Sequence, residues 1–376
     1  MVGGVFSVLI ARNFSCVPAR AFAIYLWHTF FSMLYLWYAL VYGGDAIGYF
    51  QDGSATRFDG GFGGGSVTYL VGFLVQGLGL SIWGGFLVFN FFGVVGLLAF
   101  DASLRVATQK KPKRLRYLAN AIIFLPSVSF WSSAIGKDSV SFMSATLALW
   151  AALSLSRRWI LMAFAVAVMM LVRPHMAGMM VMAWAAAIIM SRDITIVKKV
   201  SLAVLSGFAA LLMVPFALQY AGVDEAASFV DLMVYIDQRQ EYNMEGGASV
   251  DIANMSLPMQ MFVYMFRPFI FEVNSIFSLF AAIDNFILLC LFSLGGWAIF
   301  LGRKSGLGES RVFMWAYVLM AWVVLASTTA NLGISLRQKW MFVPMLIFLV
   351  ISTLGVVKHK NVVRFYSDRI RLSSKR

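Results

Sequence analysis

The chain has 376 residues, of which 61% are hydrophobic, and its mean hydropathy is +0.81. Soluble domains are only about 45–50% apolar, so this composition excludes an ordinary soluble protein and indicates a polytopic helical membrane protein. The net charge of +13 does not predict nucleic-acid binding, because the basic residues lie between apolar runs and form no nucleic-acid-binding module. Two cysteines give no disulfide framework, and neither the three scattered histidines nor the carboxylates have metal-ligand spacing, so no metal is expected.

The apolar runs predict an all-α bundle of about ten membrane spans, which places both termini on the same side of the membrane. We expect a single integral membrane domain over 1–376, with outer loops at about 43–79 and 221–275 and a basic tail at 358–376. In chain order, the predicted spans are 21–42, 80–101, 117–132, 139–156, 159–172, 176–190, 200–220, 276–301, 312–330 and 341–357.

Most of the 30 Lys and Arg residues fall on one predicted face, including the run RVATQKKPKRLR at 105–116 and the tail from 358. Lys and Arg concentrate in cytoplasmic loops, so this face is predicted to be cytoplasmic and to carry both termini. Its charge also suits anionic membrane lipid. The basic residues of the opposite, outer face are few: Arg57, Lys137, Arg173, Arg239, Arg267, Arg337 and Lys339.

The stretch LMAFAVAVMMLVRPHMAGMMVMAWAAAIIM (161–190) contains Arg173-Pro174-His175 near its centre. As one helix it would measure about 45 Å against roughly 30 Å of hydrocarbon, and it would place basic residues that belong together on opposite faces. Proline disfavours helix at the residue before it and has no N–H to donate. We therefore predict two short helices that turn at Arg173, with this tip inside the membrane boundary.

Similar basic tips occur at SFWSSAIGKDS (129–139), with Lys137 and Asp138, and at NLGISLRQKW (331–340), with Arg337 and Lys339. A further element, FRPFIFE (266–272), carries a basic and an acidic residue before the next span. Charges at this depth are costly, and they face a cavity or pair with each other. One interpretation is local pairing, Lys137 with Asp138 and Arg267 with Glu272. The preferred interpretation is a shared anionic ligand, because arginine forks and lysine suit phosphate.

The first outer loop, about 43–79, begins at the end of the first span with the carboxylate of Asp45. A carboxylate at the mouth of a membrane cavity can act as general base toward a sugar hydroxyl, although an ordinary solvated loop is equally consistent. Tyr49 and Asp52 follow within two helical turns, and Asp59 is a weaker candidate. The second outer loop is acidic and includes Arg239; its 225–241 segment suits either a glycan-binding helix or a solvated cover. Ser and Thr residues show no nucleophile–base pattern.

Four motifs, LPSVSFWSSAIGKDS, LVRPHM, FRPFIFE and ANLGISLRQK, resemble bacterial exopolysaccharide and O-antigen polymerases (Wzy- or EpsG-type) within the GT-C-like class of membrane glycosyltransferases. The resemblance runs in patches from about 45 to 340. It implies a polyprenyl-pyrophosphate-linked glycan substrate, with no nucleotide sugar and no other cofactor. It also implies Asp45 as the base and Lys137, Arg173, Arg267 and Arg337 as phosphate contacts. The tips add His175 and Lys339 to the predicted phosphate set, and the predicted acceptor-binding set is Tyr49, Asp52, Asp138, Arg239 and Glu272.

The sequence therefore predicts a glycosyltransferase of the bacterial inner membrane that works on its outer face, most directly a polysaccharide polymerase. Its expected partners are membrane lipid, the lipid-linked oligosaccharide and other polysaccharide-assembly membrane proteins, with no nucleic acid. Three alternatives stay open: a transferase of single sugars from a polyprenyl-phosphate sugar, a transporter or flippase for lipid-linked glycan, and a structural membrane protein. Few charged residues lie at midspan, His28 and Asp284 being exceptions, which favours surface chemistry over alternating access.

Overall fold

The computed structural model describes residues 2–55, 61–190, 200, 250–252, 254–302 and 310–355. The regular elements of these residues are helices, joined by short turns. In chain order they are α1 Val2–Ala11, α2 Pro18–Tyr42, α3 Asp45–Ser54, α4 Gly64–Gly72, α5 Ile82–Thr108, α6 Lys113–Ile123, α7 Pro126–Trp131, α8 Lys137–Ala152, α9 Leu155–Val172, α10 Pro174–Met190, α11 Leu257–Phe266, α12 Ile276–Phe300, α13 Ser310–Thr328, α14 Leu332–Gln338 and α15 Val343–Thr353.

Four of these helices, α2, α5, α12 and α13, are long and apolar enough to cross a membrane. A fifth span results if the bent pair Leu332–Met341 and Val343–Thr353, which meet at 61°, is counted as one. The helical membrane character expected from the composition is therefore confirmed for the described residues. The other helices are not among these candidate spans, and the count of ten spans stays a prediction.

Several predicted elements change shape in the structure. The break at Arg173 is present, because α9 ends at Val172 and α10 begins at Pro174. The expected span 117–132 is two helices, since Pro126 starts α7 as its first residue. The first outer loop is a pair of helices, α3 and α4. The predicted span 200–220, the segment 225–241 and the tail 358–376 lie outside the described residues, apart from 200.

Helix α8 forms the centre of the bundle. Every residue from 139 to 152 is buried, and α8 packs mainly against α5 and α9. Its 16 residues extend about 24 Å, which is less than the thickness of the bilayer core. Their burial shows that α8 is surrounded by protein. A Cβ built on Gly96 of α5 would lie 2.8 Å from Phe142 Cδ1, so the absence of a side chain there lets α5 and α8 approach closely.

One buried carboxylate joins α2 to α5 at the end predicted to be cytoplasmic. Asp101, only 1% exposed, accepts from Arg20 at 2.6 Å and from Arg105 at 2.9 Å. Arg105 also donates to the carbonyl oxygens of Phe14 and Ser15, which fixes the turn after α1. Arg20 lies at the start of α2 and Asp45 just beyond its end, so this ion-pair group and the predicted outer residues lie at opposite ends of the bundle.

Lys111 caps the end of α15 at the same end of the bundle. Its ammonium donates to the carbonyl oxygens of Ile351, Ser352 and Leu354 at 2.9, 2.7 and 2.6 Å, groups that a helix C-terminus leaves unpaired. Burial, and to a lesser extent the nearby Arg311, lowers the pKa of Lys111 to about 8. This lysine therefore anchors α15 to the α5–α6 connection.

Lys111→Met should lower the stability of the purified protein by about 1–3 kcal/mol, the cost of leaving buried acceptors unpaired. Thermal unfolding in one detergent would measure the change. Lys113→Met is the matched control, because Lys113 is exposed at the start of α6 and should melt like the wild type. Equal melting temperatures for the two variants would contradict the capping role.

Candidate functional site

Two ion pairs between distant segments lie at the end of the bundle opposite Asp101. Arg173 Nη2 contacts Asp138 Oδ1 at 2.6 Å, which joins the α9–α10 break to the start of α8. Arg337 Nη1 contacts Asp45 Oδ2 at 2.8 Å, which joins the last turn of α14 to the start of α3. The structure therefore brings together four charged residues that are separated by up to 292 positions in the chain.

Lys137 lies among these four residues. Its ammonium interacts electrostatically with Arg173, Asp138, Asp45 and Arg337, yet it forms no ion pair with any described residue. Local pairing with Asp138, one interpretation of the sequence, is therefore absent, since Asp138 pairs with Arg173. We refer to Asp45, Lys137, Asp138, Arg173 and Arg337 as the charged cluster. Its three cations and two carboxylates leave one positive charge in excess.

Arg173 has a donor that the charged cluster does not use. The residue is only 8% exposed, and its Nε is buried without a hydrogen-bond partner among the described residues. Buried donors in folded proteins are almost always paired, and an unpaired one costs about 1–3 kcal/mol. An unpaired guanidinium donor beside an excess positive charge is an arrangement that an anionic ligand would complete.

A buried triad of polar side chains, His28, Asn90 and Ser132, fixes the turn that leads to Lys137. His28 Nε2 lies 3.0 Å from Ser132 Oγ, and His28 Nδ1 contacts Asn90 Oδ1. This serine–histidine pair was missed from the sequence, where Ser and Thr residues showed no such arrangement. It is fully buried, and Ser132 Oγ donates to the Val128 carbonyl, so it anchors the tip rather than supplying a nucleophile. Asn90, a polar residue inside an apolar helix, was the available signal.

Two adjacent residues of α12 hold three further segments together. Asp284 Oδ2 accepts from the backbone N–H of Ser127 at 2.6 Å, at the start of α7. Asn285 accepts from the ammonium of Lys339, just after α14, and donates to the Pro268 carbonyl at 3.2 Å. Both side chains are essentially inaccessible to solvent. Their occurrence as an acidic-amide pair inside the apolar sequence FAAIDNFILL was the available signal.

Lys339 does not join the charged cluster, although it was predicted as a phosphate contact. It is fully buried, and its ammonium contacts Asn285 and the Met265 carbonyl at 3.4 Å. Arg267 is also separate: its guanidinium contacts Glu272 at 2.6 Å, as in the local-pairing interpretation. Burial would raise the pKa of Glu272, but hydrogen bonds from Arg267 and from the Phe269 N–H lower it. The Arg267–Pro268 peptide bond is cis.

The remaining predicted site residues lie at varied distances from the charged cluster. Tyr49 packs beside the turn before Lys137, since a Cβ built on Gly136 would lie 3.9 Å from its Cε2. Asp52 is exposed on α3, and His175 is half-buried as the second residue of α10. Arg239, Arg57 and Asp59 lie outside the described residues. The acceptor-binding roles of these residues stay predictions.

A shallow aromatic groove with a cavity volume of about 20 Å³ lies between α2, α7 and α12. It adjoins the charged cluster through Trp131, which lines the groove while its ring centroid lies 5.8 Å from the Arg337 guanidinium carbon. Ser127 is the polar residue of the wall, and its buried hydroxyl has no hydrogen-bond partner among the residues that the structure describes. The lining residues are Phe31, Pro126, Ser127, Phe130, Trp131, Phe277, Phe280 and Ala281.

Comparison of the chain with protein-family models, with curated proteins and with solved structures finds no match.

Asn285→Leu should destabilise the protein by about 1.5–3 kcal/mol, because the buried ammonium of Lys339 loses the charge-assisted hydrogen bond to this side chain. Thermal unfolding of purified protein in a single detergent is the measurement. Phe286→Leu is a suitable control, since Phe286 is the next residue of α12 and is 54% exposed. A wild-type unfolding temperature for Asn285→Leu would exclude a structural role for the amide.

Proposed function

We propose that this protein is a membrane glycosyltransferase that uses a polyprenyl-(pyro)phosphate-linked glycan as donor, and that it acts as a polysaccharide polymerase on the outer face of the bacterial inner membrane. The observation that carries the proposal is the buried Nε of Arg173, which has no partner in the described part of the chain and lies within a cluster that has one cation in excess. Its expected partners are membrane lipid, the lipid-linked oligosaccharide and other polysaccharide-assembly membrane proteins.

The charged cluster suits a phosphate group. Arg173 and Arg337 come from different segments and can each present two parallel N–H groups to phosphate oxygens, while Lys137 adds a point charge. Protein around α8 excludes water from one side of the cluster, which strengthens these interactions. The same donors would stabilise the negative charge that develops on a departing pyrophosphate.

Asp45 is the residue best placed to act as general base. Its carboxylate is 61% exposed at the first residue of α3, so an incoming sugar hydroxyl can reach it. In the proposed reaction this hydroxyl attacks the anomeric carbon of the donor glycan and transfers its proton to Asp45. The bond from the anomeric carbon to the pyrophosphate oxygen breaks, and Arg173, Lys137 and Arg337 bind the polyprenyl pyrophosphate that leaves.

The aromatic groove supports a lipid-linked donor rather than a soluble one. Trp131 lies between the groove and Arg337, so a ligand whose phosphate contacts Arg337 can extend its hydrocarbon chain along Phe130 and Phe277. Large aromatic side chains supply much apolar contact area for such a chain. The groove and the charged cluster together match an amphipathic substrate with an anionic head.

A transporter is less well supported. His28 and Asp284, which the sequence places at midspan, are both buried against protein partners, and neither lines the groove. A substrate path through the membrane would instead be expected to expose polar residues to a cavity at that depth.

The direct test is mass spectrometry of polyprenyl-linked glycans from a strain that lacks the gene, complemented with wild type, Arg173→Ala or Arg337→Ala. We expect both variants to insert into the membrane, to lose polymer and to accumulate one complete lipid-linked repeat unit, because each loses a phosphate contact. Arg157→Ala is the matched control, since Arg157 is exposed and distant from the charged cluster, and it should restore the polymer.

Accumulation of a unit short by one sugar would replace the polymerase with a single-sugar transferase. Wild-type polymer from both Arg173→Ala and Arg337→Ala would refute the phosphate-binding assignment. A complete unit confined to the cytoplasmic leaflet would indicate a flippase.

The groove gives a second test. Ala281→Trp should raise the KM for a full-length polyprenyl donor by roughly tenfold or more, because each excluded CH₂ group loses about 0.8 kcal/mol of burial. The KM for a short farnesyl-linked donor should change much less. Ile283→Trp, on the exposed side of α12, controls for the added indole. Equal KM increases for both donors with Ala281→Trp would exclude a chain-binding role for the groove.

A further inference from the structure

Asp45 and Arg337 share a single hydrogen bond, whereas a guanidinium and a carboxylate can form two. A single N–H of Arg337, on Nη1, donates to Asp45 Oδ2, and no other hydrogen bond joins Arg337 to the described residues. A guanidinium has five N–H donors, so most of its capacity is unused. The carboxylate is 61% exposed, and solvent screens ion pairs of this kind. A ligand that offers several phosphate oxygens can therefore compete for Arg337.

The segment that carries Asp45 is joined to α2 through two glycines. Gly43 and Gly44 have φ values of 78° and 137°, which side chains rarely adopt, and nothing lies within 4 Å of a Cβ built on either residue. Helix α3 packs mainly on α4, where a Cβ on Gly53 would lie 2.8 Å from Val71 Cγ1. The α3–α4 pair packs on the bundle core through Ala46, Val67 and Val71, and the Asp45–Arg337 contact adds an ion pair that joins its first turn to α14.

We propose that Arg337 is a shared partner that holds Asp45 in the free protein and releases it when the phosphate of the donor binds. This inference rests on the proposed function and concerns the order of binding at that same site. While Oδ2 of Asp45 accepts from Arg337, one face of the carboxylate is blocked from an acceptor hydroxyl. Donor phosphate takes the N–H groups of Arg337, and the freed carboxylate becomes available as base. The acceptor is therefore activated only after the donor has bound.

The order has a chemical consequence. An enzyme that exposes its base before the donor is in place would bind acceptor sugar unproductively, in front of an empty phosphate site. With Arg337 shared, the group that recognises the donor is also the group that releases the base. Trp131 lies on one side of the Arg337 guanidinium, which favours a pivot between the two anionic partners over withdrawal of the side chain.

Hydrogen–deuterium exchange of the purified full-length protein, with and without inorganic pyrophosphate, tests the proposal. Binding of pyrophosphate is measured in parallel by calorimetry. We expect pyrophosphate to bind the wild type and to raise the exchange rate of peptides covering 43–55 several-fold, with no change in 257–266. Arg337→Gln should exchange at the raised rate without pyrophosphate and show no further response. Arg20→Gln is the matched control, because Arg20 also pairs with an aspartate and is similarly exposed, at 26% against 24%.

The two proposals fail in different ways. If pyrophosphate binds but leaves the exchange of 43–55 unchanged or slower, the shared-partner proposal is wrong and the phosphate site stands. Wild-type exchange at 43–55 in Arg337→Gln also overturns it. If pyrophosphate does not bind the wild type, the phosphate site itself is wrong and the shared-partner proposal falls with it. A raised exchange rate of peptides covering 43–55 in Arg20→Gln would show that loss of any such ion pair loosens the bundle, and it would refute a specific role for Arg337.

Discussion

A helix interrupted at membrane depth exposes backbone and charged groups that lipid cannot satisfy, and this constraint organises the described part of the protein. Asp284 and Asn285 supply hydrogen-bond partners to three such interruptions. Asp284 binds the N–H at the start of α7, and Asn285 binds both Lys339 and the Pro268 carbonyl. Without these two side chains, the turns that precede and follow the charged segments would lack partners.

The charged cluster is positioned by polar groups that lie beneath it. His28 and Ser32 of α2 bind Ser132 and the Ser133 carbonyl, which fixes the turn that leads to Lys137. The contact of the buried Lys339 ammonium with Asn285 fixes the backbone two positions after Arg337. The segments that carry Lys137 and Arg337 are therefore each attached to a long helix at a buried point. Preorganisation of this kind places donors before a ligand arrives, which is what stabilisation of a leaving anion requires.

The sequence predicted which segments carry the charged residues, but not how those residues pair. Arg173 was identified because Pro174 must break a thirty-residue apolar run. Asp45 and Arg337, in contrast, are 292 residues apart, and no local pattern relates them. Arg337 and Lys339 were grouped as one basic tip, yet residues two apart on a helix point in nearly opposite directions. One therefore reaches Asp45, while the other enters the core and meets Asn285.

Local pairing alone does not account for the charged cluster. The Arg267–Glu272 contact is such a pair, because it joins residues five apart in the chain. The Phe269 N–H also donates to Glu272, so this pair has a structural role without any ligand. The cluster differs because its two pairs join four separate segments, and among the described residues Lys137 still has no ion-pair partner and the Arg173 Nε has no acceptor. A purely structural arrangement would be more stable with an acceptor for the Arg173 Nε and an ion-pair partner for Lys137. The proposed ligand, an anionic and lipid-linked one, would bind both groups from the adjoining aromatic groove.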